Sequence, residues 1–378
     1  MKTTTRTELL EHSRAKVVLL KTYLSTYLNI ISRVKYYSKI HIYDLLCGEG
    51  VYVDKSEGSP IAILKTIKDH YFSNDSTCPN IDLWLNDNGE SEIEPNKLKI
   101  ERVKEYTEGI FKPKNLKIDF TKIDYTEIDS LVFKKVKKYY EDKHLIFIDP
   151  HGYKEIDINQ IIKFLSIGNS EVILFLPLFD MYRFANKSYD PEFKSGNALR
   201  TFLNKCFDNK KMSFNSVFDF SDKLKEAFIK QTNCFVDTFL LEKDKSNYYG
   251  LFFFTPNALG FEKMLEAKWK VDTEQGRGFS KRIINQGSFF DTLEVSNYPF
   301  ELTNFLRNNP KTNAEIYMFG LKKGYLPKHT IEILKPFRNN SKLIVKDLLG
   351  KVMPKNGYYL NYENYKSNPE KVVTFYLT

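Results

Sequence analysis

One stretch constrains the fold more than any other: Lys39-Ile-His-Ile-Tyr-Asp-Leu-Leu-Cys-Gly-Glu-Gly-Val-Tyr52. Its apolar run (Ile40, Ile42, Tyr43, Leu45, Leu46) ends in Cys47-Gly48-Glu49-Gly50, the pattern of a buried strand entering a tight turn. In a parallel sheet, the turn at the carboxyl end of a strand is where nucleotide-like ligands sit, beside the point where strand order reverses. Gly48 and Gly50 bring bare backbone closer to a ligand than a residue with a Cβ allows. Further along, His144-Leu-Ile-Phe-Ile-Asp-Pro-His-Gly-Tyr153 shows the same pattern: an apolar strand, a carboxylate (Asp149), then Pro150 and Gly152. Two such strand ends predict a ligand crevice between neighbouring strands.

The rest of the 378-residue chain supports an ordered globular protein, with 42% hydrophobic and 15% aromatic residues. Cys47, Cys78, Cys206 and Cys234 have no paired spacing, so neither a zinc knuckle nor a disulfide framework is legible, and a cytoplasmic location is expected. No apolar run is long enough to span a bilayer, so no membrane association is expected. Net charge is +9, and residues 301–378 carry 13 Lys and Arg against 6 Asp and Glu. That asymmetry permits a polyanionic partner.

In chain order, Leu9, Leu10, Val17, Leu20, Tyr23, Leu24, Tyr27, Leu28 and Ile31 recur at helical spacing, predicting a helix over 7–34. His12 and Lys16 lie four apart and share a face of it, either as a functional pair or as a solvated edge. Strands are predicted at 81–87, 116–124, 144–149 and 171–177, separated by helices at 92–109, 127–141 and 156–166. Gly58-Ser59-Pro60 starts a helix after the first strand, with Ser59 suited to the N-cap and Pro60 to the first turn. This alternation predicts an α/β fold with a mostly parallel sheet covered on both faces. Residues 180–234 read as a helical insertion, followed by a hairpin at 235–242 and 248–255, a helix from about 260 to 269 and a polar linker at 272–290. The domains are thus 1–290 and a basic unit at 299–378, where short helices (300–308, 312–320, 329–337) precede strands (341–347, 372–377). That unit has the outline of a winged-helix-like module or of a packing or dimerisation element.

Four stretches resemble the three-Cys-motif partner protein family: His12-Ser-Arg-Ala-Lys16; Tyr43 to Tyr52 with Gly58-Ser59-Pro60; Phe147-Ile-Asp-Pro-His-Gly152; and Leu251 to Thr255 with Gly260 to Met264. The chain departs from the family's usual pattern at Leu46-Cys47, Asn86-Asp87 and His151. The resemblance implies a class I S-adenosylmethionine-dependent methyltransferase-like fold: a doubly wound, seven-stranded sheet whose last strand is antiparallel. It also implies a companion protein bearing three cysteines.

On that footing S-adenosylmethionine is the expected cofactor. Asp44 would face the methionine ammonium, and Cys47, Gly48 and Gly50 would lie against the cofactor. Asp87, with Asn86 beside it, would take the ribose hydroxyls, and Asp124 the adenine amine. Asp87 and Asp124 also suit turns in which the side chain bonds its own backbone. Asp149-Pro150-His151-Gly152-Tyr153 resembles the Asp-Pro-Pro-Tyr motif of enzymes that methylate exocyclic amines of nucleic-acid bases. There Asp149 and Pro150 would hold the amine and Tyr153 would stack on the base. His151 would act as a proton acceptor or as a turn residue. His12 and Lys16 would close over the cofactor.

Two readings follow. One is a methyltransferase acting on nucleic acid. The other is a non-catalytic or regulatory protein that keeps the fold and acts with its three-cysteine companion in DNA modification, repair or phage defence. A nucleotide hydrolase is disfavoured because there is no Gly-x4-Gly-Lys-Ser/Thr loop, and a dehydrogenase because Gly48-Glu-Gly50 lacks the third fingerprint glycine.

Overall fold

β1 (Lys39–Asp44) lies inside the sheet that its apolar run predicts, and every residue after Lys39 is buried. The computed structural model describes residues 9–34, 39–73, 78–150, 152–244, 247–272, 276, 278–279, 297–367 and 372–377. β2 (Asn80–Asn86), β3 (Leu116–Thr121), β4 (Lys143–Ile148) and β5 (Ser170–Leu176) run parallel to β1. β7 (Asn247–Thr255) is antiparallel to both β5 and β6 (Phe235–Asp244). β8 (Gly278–Phe279) adds a short parallel step beside β6, giving the order β3-β2-β1-β4-β5-β7-β6-β8. The fold is α/β and doubly wound, with the seven-strand order of a methyltransferase-like sheet. The eighth strand lies where the sequence reads as linker.

The chain steps outward from β1 to β3, then returns past β1 to β4, so strand order reverses between β1 and β4. Right-handed crossovers then place the helices of the two halves on opposite faces. α2 (Ser59–Ser73) and α3 (Lys99–Glu108) serve the first half, and α1 (Glu11–Ile31) packs on α2. α4 (Tyr125–Lys138) and α5 (Ile158–Leu165) serve the second. β5, buried at every position, shows the continuous apolar run expected of a strand covered on both faces.

α6 (Leu178–Ser188), α7 (Asn197–Cys206) and α8 (Val217–Thr232) extend the second face into a thick apolar layer. Met181, Leu203, Phe220 and Phe228 join Ile148, Leu174, Phe252 and Phe254 in one cluster. Phe228 meets Phe252 edge to face at 5.2 Å, a geometry that aromatic quadrupoles favour.

Two local expectations shift. The helix expected from residue 92 begins only at Lys99, because Pro95 and Asn96 (φ +65°) hold an irregular loop closed by a bridge between Glu90 and Leu98. α2 begins at Ser59 itself, so Gly58 flanks the helix and its carbonyl accepts the Ala62 N–H at 3.1 Å. Most of the expected linker, and His151, lie outside the described residues.

The chain divides into two compact units: Met1–Lys263 with Arg277–Lys281, and Met264–Gly276 with Arg282–Thr378. The division falls within α9 (Ala258–Val271). The second unit runs α10 (Tyr298–Asn308), β9 (Lys311–Thr312), α11 (Asn313–Lys322), α12 (Pro327–Asn339), β10 (Leu343–Asp347), α13 (Tyr362–Ser367) and β11 (Val373–Leu377). Its antiparallel sheet has the order β10-β11-β9. Thr312 and Glu315 form a reciprocal capping box that starts α11. Arg338 of α12 is buried and donates to the Met353 and Pro354 carbonyls at 2.7 Å each, fixing the chain beyond β10. Among the described residues no helix is long and apolar enough to cross a membrane.

Candidate functional site at the strand-order reversal

The reversal brings the carboxyl ends of β1 and β4 side by side, with Asp44 in register with Phe147 and Leu45 N–H donating to the Phe147 carbonyl at 3.1 Å. Asp44 is fully buried, and neither carboxylate oxygen has a hydrogen-bond partner among the described residues. Burial raises its pKa from 3.8 to about 7. The Ser59 hydroxyl, which faces it without reaching hydrogen-bond geometry, lowers the pKa in part, as does the charge of Lys16, while Asp149 and Asp87 add to the rise. A buried carboxylate left unpaired is costly and is seldom kept without a partner.

Above Asp44 the turn is held in a specific shape. Gly48 and Gly50 both take left-handed backbone, with φ of +70° and +74°. A Cβ at Gly48 would meet nothing closer than the Tyr52 hydroxyl at 3.8 Å, whereas one at Gly50 would strike Val103 Cγ2 at 2.7 Å. Gly48 therefore borders open space, and Gly50 is packed on α3.

Asp87 secures this turn. One of its oxygens accepts the Gly48 N–H and the other the Gly89 N–H, both at 2.8 Å. Asn86 is fully buried: its amide donates to the Leu45 and Ile123 carbonyls at 3.0 and 2.9 Å, and its oxygen accepts from Thr121 and the Ile123 N–H. That uses the amide's ordinary capacity, so Asn86 clamps the three strand ends and has no hydrogen bond left to offer a ligand. Cys47 is likewise scaffold, because burial pushes its thiol pKa up and its N–H donates to the Asn86 carbonyl at 3.0 Å. Asp124 is exposed and caps α4 through the Thr126 N–H at 2.9 Å, with Asn88 on its other oxygen at 3.2 Å.

Asp149 follows β4 and is ion-paired with Lys16 of α1. The Lys16 ammonium also lies 4.4 Å from the centre of the Phe175 ring on β5, within cation–π range. α1, the end of β4 and β5 thus meet at one carboxylate. Pro150 is buried beside it, a Cβ at Gly152 would meet nothing within 4 Å, and Tyr153 packs half-buried against the large apolar cluster. His12 lies on α1, one turn before Lys16.

Three further residues belong to this arrangement. Glu49, between the two glycines, points into the protein. Its carboxylate accepts from the Ser91 hydroxyl at 2.9 Å, the Glu92 N–H at 2.7 Å and Arg102 at 2.5 Å. Tyr52 folds back over the turn through a bridge between Val51 and Glu57, and burial and then Asp149 raise its pKa well above the usual range. Phe175 sits in an unbroken apolar run and so gives no sequence signal.

No protein-family model matches the chain, and no curated protein matches it. Among solved structures, the chain is similar to Trm1 from Pyrococcus horikoshii in complex with S-adenosyl-L-methionine, at 14% identity and a TM-score of 0.35. The similarity covers 67% of this chain and 58% of that one, so this chain spans less than two thirds of Trm1's length. The strand order carries the fold assignment by itself: the chain has a class I methyltransferase-like α/β fold.

Proposed function

We propose that the protein binds S-adenosylmethionine at the reversal between β1 and β4 and methylates an exocyclic amine of a nucleic-acid base. The observation that carries this reading is Asp44, a fully buried carboxylate with two unpaired oxygens beneath a bare glycine turn. These residues fit the cofactor: Asp44 offers a counter-charge to an ammonium, and Gly48 leaves room beside the turn. Asp87 retains lone pairs beyond its two backbone bonds for ribose hydroxyls. The bound cofactor supplies an electrophilic methyl group on a sulfonium.

Asp149 and the Pro150 carbonyl accept the amine's hydrogens and aim its lone pair. With the cofactor supplying the methyl group, Asp149 would take the proton that the amine nitrogen releases. Tyr153 offers a ring to the base, and α1, which carries His12 and Lys16, would close over the cofactor. The C-terminal unit supports a nucleic-acid partner. Its order of helix, strand, two helices, strand, short helix and returning strand, on a basic background, is compatible with a winged-helix-like module.

One observation favours the second reading, a non-catalytic protein of the three-Cys-motif partner type. Lys16 already occupies the carboxylate that a substrate amine needs. Calorimetric titration with S-adenosylmethionine followed by transfer of labelled methyl groups to mixed nucleic acids separates the two. Asp149→Ala is expected to retain cofactor binding and to lose transfer by at least about a hundredfold, since the lost interaction is made mainly in the transition state. Equal transfer by both proteins removes Asp149 from the reaction. Cofactor binding with no transfer by wild type selects the non-catalytic reading.

A further inference from the structure

A cavity of about 870 Å³ opens along the free edge of the large sheet, where β3 has a strand partner on one side only. Successive side chains of β3 project to opposite faces, so its edge furnishes both walls. On one face Trp84 of β2, in register with Asp119, donates its indole N–H to the Thr121 hydroxyl at 2.7 Å. On the other face Phe120 and Ile118 line the groove with Lys104 of α3. Tyr139, after α4, completes the aromatic lining.

The rim is cationic. α4 contributes Lys134, Lys135 and Lys138, and the single acidic lining residue, Asp119, is already engaged by Lys117 at 3.2 Å and Lys135 at 3.7 Å. Lys104, Lys134 and Lys138 have no carboxylate within ion-pair distance among the described residues. Lysines lie against the rings: Lys135 is 4.6 Å from the Trp84 ring centre and Lys138 is 5.1 Å from that of Tyr139.

We propose that this groove is a track for single-stranded nucleic acid, stacking bases on Trp84 and Tyr139 and holding phosphates with the lysines of α3 and α4. Aromatic rings set among unpaired cations are the elements of sequence-tolerant single-strand binding. A duplex keeps its bases in its own stack and cannot use the rings. An added protein strand meets the charged side chains of Lys117 and Asp119 on the edge, which oppose edge-to-edge pairing. The groove contains neither Asp44 nor Asp149 and meets that arrangement only through Thr121, which also bonds Asn86, so the lysine variants test it separately from the cofactor reading.

The chain has two tryptophans, so Trp269→Phe in the full-length protein leaves Trp84 as the sole reporter. Titration with a thymidylate oligomer of about twenty nucleotides is expected to quench Trp84 saturably, with a midpoint that weakens steeply as salt rises. Adding Lys134→Glu and Lys138→Glu, both exposed on α4, is expected to shift that midpoint at least tenfold. Thermal unfolding and the S-adenosylmethionine titration should be unchanged. Absence of a Trp84 quench, a midpoint within twofold of the parent after charge reversal, a tighter response to duplex of the same length, or an equal response to a polyglutamate peptide would each overturn the assignment.

Discussion

β1 and β4 bury polar side chains at both ends, and the two ends handle them differently. At the amino end His41 and His144 are fully buried and stacked at 4.8 Å, and Tyr139 and Tyr43 extend the stack. His144 Nε2 donates to the Tyr139 carbonyl at 2.8 Å, which fixes its tautomer and leaves Nδ1 to accept from the Tyr43 hydroxyl at 3.1 Å. His41 Nε2 bonds Asp142 at 2.9 Å, and only its Nδ1, 3.5 Å from Asp82, is beyond good hydrogen-bond length. At the carboxyl end Asp44 has neither oxygen satisfied. The same two strands therefore carry one polar cluster that is paired except at His41 Nδ1 and one whose carboxylate is left open at both oxygens. The open one is where an external group is needed.

The largest effect should come from closing it artificially. Asp44 has a folded pKa of about 7 against 3.8, so between these values the native state holds a proton that the unfolded state has released. Its charged form is disfavoured by roughly 4 kcal/mol, a cost absent below about pH 4 and fully present above pH 7. Asp44→Asn should raise the stability of the cofactor-free protein at pH 8, and the gain over wild type should vanish towards pH 4. Urea unfolding at several pH values reads this. The same variant should weaken S-adenosylmethionine binding at least tenfold and flatten its pH dependence, since wild-type affinity should rise with pH up to about 7. A variant with no stability gain at pH 8 would mean that Asp44 is not a buried unpaired charge.

The amino end should show the opposite slope. His144 has its pKa lowered to about 4, first by burial, so between that value and 6.5 the unfolded state binds a proton that the native state refuses. That contribution is fully present above pH 6.5 and is lost on acidification, by up to about 3 kcal/mol. In wild type it opposes the Asp44 slope within nearly the same window. Relative to wild type, His144→Gln should lose less stability between pH 6.5 and 4, whereas Asp44→Asn should lose more. Parallel difference curves for the two variants would contradict the contrast between the ends.

The sequence makes the open end legible and hides the closed one. Alternating strands and helices expose the doubly wound sheet, and a carboxylate followed by glycine at two strand ends exposes the crevice. Roles within the crevice are harder to read, because they depend on where a side chain turns. Asn86 reads as a ligand residue beside Asp87, yet its amide is consumed by the ends of the two neighbouring strands, at Leu45 and at Thr121 and Ile123. Nothing in the sequence assigns a role to the Glu49 side chain, which runs to Arg102 on α3. His41 and His144 are far apart in sequence and become neighbours only through strand register, which no local pattern reveals. The edge groove escapes for the same reason, since its lysines are an ordinary amphipathic helix face until β3 is known to be an edge.

The smallest expected effect separates the two glycines of the turn. Both have positive φ, so an alanine at either position carries a backbone cost of about 1–2 kcal/mol. At Gly48 that is the whole cost, because the new methyl group would point to open space, with the Tyr52 hydroxyl 3.8 Å away. At Gly50 the methyl group would also meet Val103 at 2.7 Å on a helix that Glu49 and Arg102 tie to the same turn. Gly50→Ala should therefore destabilise by about 1–2 kcal/mol more than Gly48→Ala, in the range of an overpacked core site. Cofactor affinity should rank them the other way: Gly48→Ala fills space on the ligand side and should weaken S-adenosylmethionine binding more per unit of stability lost. Denaturant midpoints and calorimetric titration on the two variants test both rankings. If Gly48→Ala left affinity unchanged, the open space beside Gly48 would not be the cofactor's, and Asp44 would have to answer to a different ligand.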